Sequence, residues 1–101
     1  MRKSQIFNTI LSAIEAETEV SRQDILSRKK QPDIVDARCL LYYCLREADF
    51  YPSQIARMCG HSRQSVSAAI NGFDTRCRFS GKMLSKFLQD IRKKLTSMCL
   101  N

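Results

Sequence analysis

The side chains with the most usable chemistry sit in two short stretches. Ser62-Arg63-Gln64-Ser65, with Ser67 beyond, puts a guanidinium, a carboxamide and three hydroxyls within six residues. Arg28-Lys29-Lys30 forms a basic run closed two residues later by Pro32. An arginine can donate two parallel hydrogen bonds to guanine, a glutamine can pair with the edge of adenine, and serine serves base or phosphate alike. A lysine- and arginine-rich loop suits the phosphate-lined minor groove. These residue types point to an anionic polymer as the partner, duplex DNA foremost.

Other chemistry is poorly provided for. His61, the only histidine, stands two residues from Cys59, but a zinc site needs three or four ligands at characteristic spacings. Cys39, Cys44, Cys77 and Cys99 are scattered and form no CxxC pair. Cys59 reads as core and His61 as a turn residue near phosphate. A cysteine nucleophile with His61 as its base would lack a glycine-rich oxyanion loop. No metal, cofactor or catalytic residue is expected, and the chain does not read as an enzyme.

The charge balance agrees with an anionic partner. Seventeen Lys and Arg against ten Asp and Glu give a formal net charge of +7. Residues 15–24 carry Glu15, Glu17, Glu19 and Asp24 against Arg22 alone, whereas residues 57–94 hold nine cations against Asp74 and Asp90. A membrane surface is the second candidate for such a chain, but no apolar run approaches the roughly 20 residues that span a bilayer. An odd cysteine count behind an amino terminus unlike a signal peptide predicts reduced thiols in a cytoplasm.

These side chains need a scaffold, and the pattern predicts an all-α one. With 101 residues there is room for one domain, and three glycines with two prolines leave long helices uninterrupted. Ile6, Phe7, Ile10, Leu11 and Ile14 recur at helical spacing over residues 4–17. Ser21 and Asp24 resemble an imperfect capping box for a short second helix. Asp33 is placed to cap the core helix, whose stripe runs Ile34, Ala37, Leu41, Cys44, Leu45 and Ala48. Leu40, Tyr42 and Tyr43 widen its apolar surface, so more than one of its sides should be covered.

Pro52 starts a helix to about Met58, and Ser62 opens another with Val66, Ala69, Ile70 and Phe73 inward. Residues 74–81 read as a polar connection. A last helix, about 82–99, carries Leu84, Phe87, Leu88, Ile91, Leu95 and Met98 on one stripe. This stripe suits internal core, with a homodimer seam or partner protein as the alternative use. The expectation is a compact bundle of about six helices.

Within it, PSQIARMCGHSRQSVSAAINGF (about residues 52–74) meets the demands of a helix-turn-helix. Ala56 offers the small side chain where the helices touch, Gly60 the turn, Ile55 and Cys59 the core contacts, and Val66 the seat of the second helix. Arg63, Gln64, Ser67 and Asn71 are left outward.

From about Ile10 to Leu95 the chain resembles the carboxy-terminal DNA-binding domain of the bacterial replication initiator DnaA, whose fold is related to Trp repressor. Asp24-Ile25-Leu26-Ser27-Arg28-Lys29-Lys30 is similar to the family's Asp-Leu-Leu-Ser segment and basic loop. Ala37-Arg38 through Glu47 is similar to its arginine-led core helix, and Gln54-Ile55-Ala56 to its Glu-Ile-Gly. The resemblance implies a basic loop in the minor groove, with Lys30 at that site, and a helix after the turn in the major groove. It further implies a phosphate contact for Arg38, base and phosphate contacts for Ser62, Arg63, Gln64 and Ser65, and a phosphate seat at the amides of Pro52, Ser53 and Gln54.

Two departures stand out. The turn reads Gly60-His61-Ser62-Arg63-Gln64-Ser65 where the family has Gly-Arg-Asp-His-Thr-Thr. Lys30, a point charge, replaces a planar arginine fork. With no GxxxxGK[ST] loop, no nucleotide is expected as a ligand. The functional expectation is sequence-selective reading of double-stranded DNA in replication-initiation-like or transcriptional control. The alternatives are a protein-interaction adaptor that retains the fold and, less favoured for want of a sheet platform and surface aromatics, an RNA binder.

Overall fold

Ile34, Leu40, Leu41 and Leu45 are buried on a single helix, and that helix organises the rest of the molecule. The computed structural model describes residues 2–97, so Met98 and Cys99 lie outside the described residues. Seven helices follow in order: α1 Lys3–Thr18, α2 Arg22–Ile25, α3 Pro32–Glu47, α4 Pro52–Cys59, α5 Arg63–Asn71, α6 Phe73–Phe79 and α7 Lys82–Ser97. No strand occurs among the described residues. The all-α expectation holds, with one helix more than the sequence pattern suggests.

Helix α3 packs against all six others, which explains why its apolar residues outnumber a single stripe. Tyr42 is buried, and Tyr43 stacks on Phe73 with ring centroids 4.3 Å apart. One continuous core gathers Ile10, Leu11 and Ile14 of α1, Ile55 of α4, Val66 of α5, and Leu84, Leu88, Ile91 and Leu95 of α7. The α7 stripe is therefore used inside the chain. Phe50, outside every helix, is fully buried at the corner between α3 and α4. That corner is fixed by Asp49 at φ 70° and by Lys3, whose Nζ donates to Asp49 O at 3.1 Å and lies 4.3 Å from the Phe50 ring centroid.

Two local expectations need correction. Residues 73–79 form α6, although their sequence reads as a connection. Only Phe73 of that segment is fully committed to the core; the helix is held instead by Asp36 of α3, which accepts from Arg76 Nε at 2.6 Å and from Ser80 Oγ at 3.3 Å. Asp33 is not the cap of α3. Gln31 occupies that position, Pro32 is the first helical residue, and Asp33 lies in the first turn, where its charge favours the positive end of the helix dipole.

Candidate nucleic-acid interface

The turn between α4 and α5 follows from its residues. Gly60 ends α4 at φ 72°, a conformation open to glycine at little cost, and its N–H closes on Ala56 O. Nothing would crowd a Cβ at Gly60, so the backbone angle alone accounts for the glycine. Ser62 caps α5: its Oγ accepts from Ser65 N at 3.1 Å and donates to Ser65 Oγ at 2.8 Å. Ile55, Ala56, Cys59 and Val66 are buried between the helices, as their spacing requires.

This turn sets α5 beside the basic loop. Ser27, Arg28, Lys30, Arg38, His61, Ser62 and Ser65 line one crevice of about 400 Å³, together with Val35, Cys39, Tyr42 and Ala69. Half of the anticipated side chains thus converge from three separate segments. Arg28, Lys29 and Lys30 are exposed on the loop, and Arg63 and Gln64 are exposed in the first turn of α5. Ser65 is exposed and Ser67 half-buried on the same helix.

Several of the anticipated residues are already occupied. Arg38 is 8% exposed; its Nε donates to Ile25 O at 2.9 Å and its Nη2 to Asp24 O at 3.4 Å. It fastens the end of α2 to α3, so a free phosphate-contacting role is corrected to an internal one. His61 is turned inward, its ring bonded to Leu26 O at 3.1 Å and to the Tyr42 hydroxyl. Burial, with Arg38 and Arg28 as like-charged neighbours, lowers its affinity for a proton, while bonding to Leu26 works the other way. Lys29 pairs with Asp24 at 2.8 Å. Gln54 Oε1 accepts from Tyr51 N at 2.9 Å and from Lys3 Nζ at 3.4 Å.

The phosphate seat at the start of α4 also shrinks. Pro52 has no N–H, and Gln54 N donates to Tyr51 O at 2.9 Å. Among the described residues only the Ser53 amide and its exposed hydroxyl remain there for an anion.

What stays free is informative. Among the described residues, Arg28, Lys30, Arg57 and Arg63 take part in no ion pair, whereas Arg76, Arg92 and Lys94 pair with Asp36, Glu47 and Glu17. No group of three or more His, Cys, Asp or Glu side chains is placed to hold a metal among the described residues. Burial pushes the Cys59 thiol up to about 12, which leaves it protonated and poorly nucleophilic near neutrality.

The roles of Arg38 and His61 escape sequence reasoning because each is held by main-chain carbonyls with no signature of their own, and His61 also by Tyr42, nineteen residues away. The one available hint is that Arg38 falls on the apolar face of α3, between Ala37 and Leu41. No described helix is long and apolar enough to cross a membrane. Comparison with protein-family models finds no match for the chain, and comparison with curated proteins finds none either.

Proposed function

We propose that this chain reads duplex DNA, with α5 in the major groove and the Arg28–Lys30 loop in the adjacent minor groove. The observation that carries the proposal is that Arg28 and Lys30 of the loop line one crevice with Ser62 and Ser65 at the start of α5, while Arg63 and Gln64 are exposed on the first turn of that helix. Cations without protein partners are available to displace counterions from phosphates, the main source of affinity for DNA. The first exposed residues of the second helix are those that a helix-turn-helix brings to base edges. The sequence resemblance to the replication-initiator domain supports the same docking and a setting in replication or transcriptional control.

Arg63 and Gln64 are the base readers in this proposal, and Arg28, Lys30, Ser53 and Ser65 hold phosphate or groove walls. No bond-making step and no cofactor is involved. The test is selection of bound duplexes from a random pool at physiological salt, expected to enrich a motif. Arg63→Ala and Gln64→Ala should then each weaken the enriched duplex by roughly 1–3 kcal/mol and an unrelated duplex far less. Equal losses on both duplexes would move base reading elsewhere.

A second reading, the protein-interaction adaptor, has one observation in its favour. Phe79 is 88% exposed and Met83 65% exposed, an apolar surface that DNA reading leaves unused. Failure of any duplex to be enriched would favour it.

A further inference from the structure

Three successive carbonyl oxygens close the short helix α2, and side chains from elsewhere hold all three. Arg38 of α3 takes Asp24 O and Ile25 O, and His61 of the α4–α5 turn takes Leu26 O. A carbonyl can only accept, so His61 Nε2 carries the proton and donates across 3.1 Å. Burial favours the neutral ring, in which Nδ1 is an acceptor filled by the Tyr42 hydroxyl. The imidazole is neutral, and both of its nitrogens are satisfied. One end of this bridge is buried in α3 through Tyr42; the other stands two residues before Arg28, at the root of the basic loop.

We infer that His61 is a positioning residue: a neutral strut that holds the basic loop at a fixed distance from α5, so that both engage one duplex together. Its consequence for binding rests on the DNA reading proposed above, but the strut itself is a property of the free protein. His61 makes no contact with DNA in this arrangement. Two elements that must enter neighbouring grooves gain affinity when their spacing is set beforehand, because no ordering remains for the moment of binding.

Acid should release the strut. A second ring proton on Nδ1 would face the Tyr42 hydroxyl, which must then turn its own hydrogen away inside the core. The charged groups facing the ring are Arg38 from α3 and Arg28 from the loop, both cations, with Lys30 lining the same crevice. Beside the Tyr42 hydroxyl lie the thiols of Cys39 and Cys59, and burial raises both. Added positive charge at His61 therefore meets repulsion and a lost acceptor. A histidine that touched phosphate would behave oppositely, since protonation would strengthen its hold on DNA.

The experiment has two arms. In the free protein, ¹⁵N-resolved NMR of the imidazole should show the Nε2–H form at pH 7.5, and His61→Ala should shift the amides of Ser27 to Lys30. On an enriched duplex at fixed salt, His61→Ala should weaken binding about tenfold, the scale of two lost hydrogen bonds. His61→Gln, whose amide N–H can still reach Leu26 O and which does not titrate, should stay within about threefold. The unmodified protein should bind more weakly at pH 5.5 than at pH 7.5, and His61→Gln should remove that difference.

Tighter binding of the unmodified protein at pH 5.5 would overturn the strut in favour of direct phosphate contact. Unmoved loop amides in a folded His61→Ala protein would also overturn it, and should that variant not fold, His61→Gln with an unchanged pH profile would do so. If no duplex is enriched at all, the DNA reading falls, and the tautomer with the loop amides still decides the strut.

Discussion

The molecule has two basic faces, and on one of them two cations are already paired, although Lys82, Lys86 and Lys93 of α7 stand in no ion pair among the described residues. On the face formed by α1, α3 and α7, Lys94 sits 3.8 Å from Glu17, and Arg92 forms a two-bonded fork on Glu47. On the face formed by the loop and α5, Arg28, Lys30 and Arg63 have no acidic partner among the described residues. Helix α7 packs on α1, α3 and α6 and makes no helix contact with α4 or α5, so the two faces are separate surfaces. Net charge alone would score them alike. The lesson is that an unpaired cation is available to an anionic partner, whereas a paired one already has its counterion.

The largest effect should come from the joint beneath the loop and α5. Arg38→Ala would strip Asp24 O and Ile25 O of their donors and leave space in the core, at a cost of about 3 kcal/mol. Urea unfolding of the variant checks this, and a loss below about 1 kcal/mol would mean that water replaces the guanidinium freely. Arg38→Lys should recover only part of the loss, because an ammonium cannot span two carbonyls as a planar fork does.

The next effect compares the faces directly. Arg28→Ala with Lys30→Ala should weaken duplex binding by roughly 1–3 kcal/mol and make the log K against log [salt] slope less negative by about 2. Arg92→Ala with Lys94→Ala removes the same formal charge and should leave the slope nearly unchanged. Equal changes for the two pairs would show that the protein binds DNA through bulk charge, without a defined face. Lys29 is the wrong residue for this comparison, since Asp24 already holds its ammonium.

A smaller effect concerns acid stability. Burial holds His61 below the ordinary imidazole range, so in mild acid the unfolded chain takes up a proton more readily than the folded one. Stability is then complete above the ordinary histidine pKa of about 6.5 and is lost as pH falls towards the lowered folded value. The melting temperature should be lower at pH 5 than at pH 7.5, and His61→Gln should flatten that difference. A melting temperature that rises on acidification would reverse the sign.

Much of the scaffold was legible in the sequence for local reasons. Pro52, Gly60 and Ser62 act within one turn of their own backbone, and the widened stripe of α3 announces a helix enclosed on several sides. Helix α6 was not legible, because its anchor is Asp36, forty residues from Arg76 in sequence. The exposed side chains of Arg63 and Gln64 fall where the turn puts them. Arg38 and His61 carry the same functional groups as surface contacts do, and only packing against the end of α2 turns them inward.

The smallest expected effect asks whether pairing or position makes the α7 face silent. Glu47→Gln leaves the Arg92 guanidinium without its carboxylate while keeping the side chain's shape. The pair is solvent-exposed, so folding stability should change by about 0.5 kcal/mol or less. If pairing alone silences the face, the freed cation should steepen the salt dependence of DNA binding towards that of the loop. If position decides, Arg92 remains on a helix that does not touch α4 or α5, and its field is screened within about a Debye length, roughly 8 Å at physiological salt. The expectation is the second outcome: affinity within about twofold and an unchanged slope. A steeper slope in Glu47→Gln would place phosphate against α7 and widen the DNA footprint to both faces.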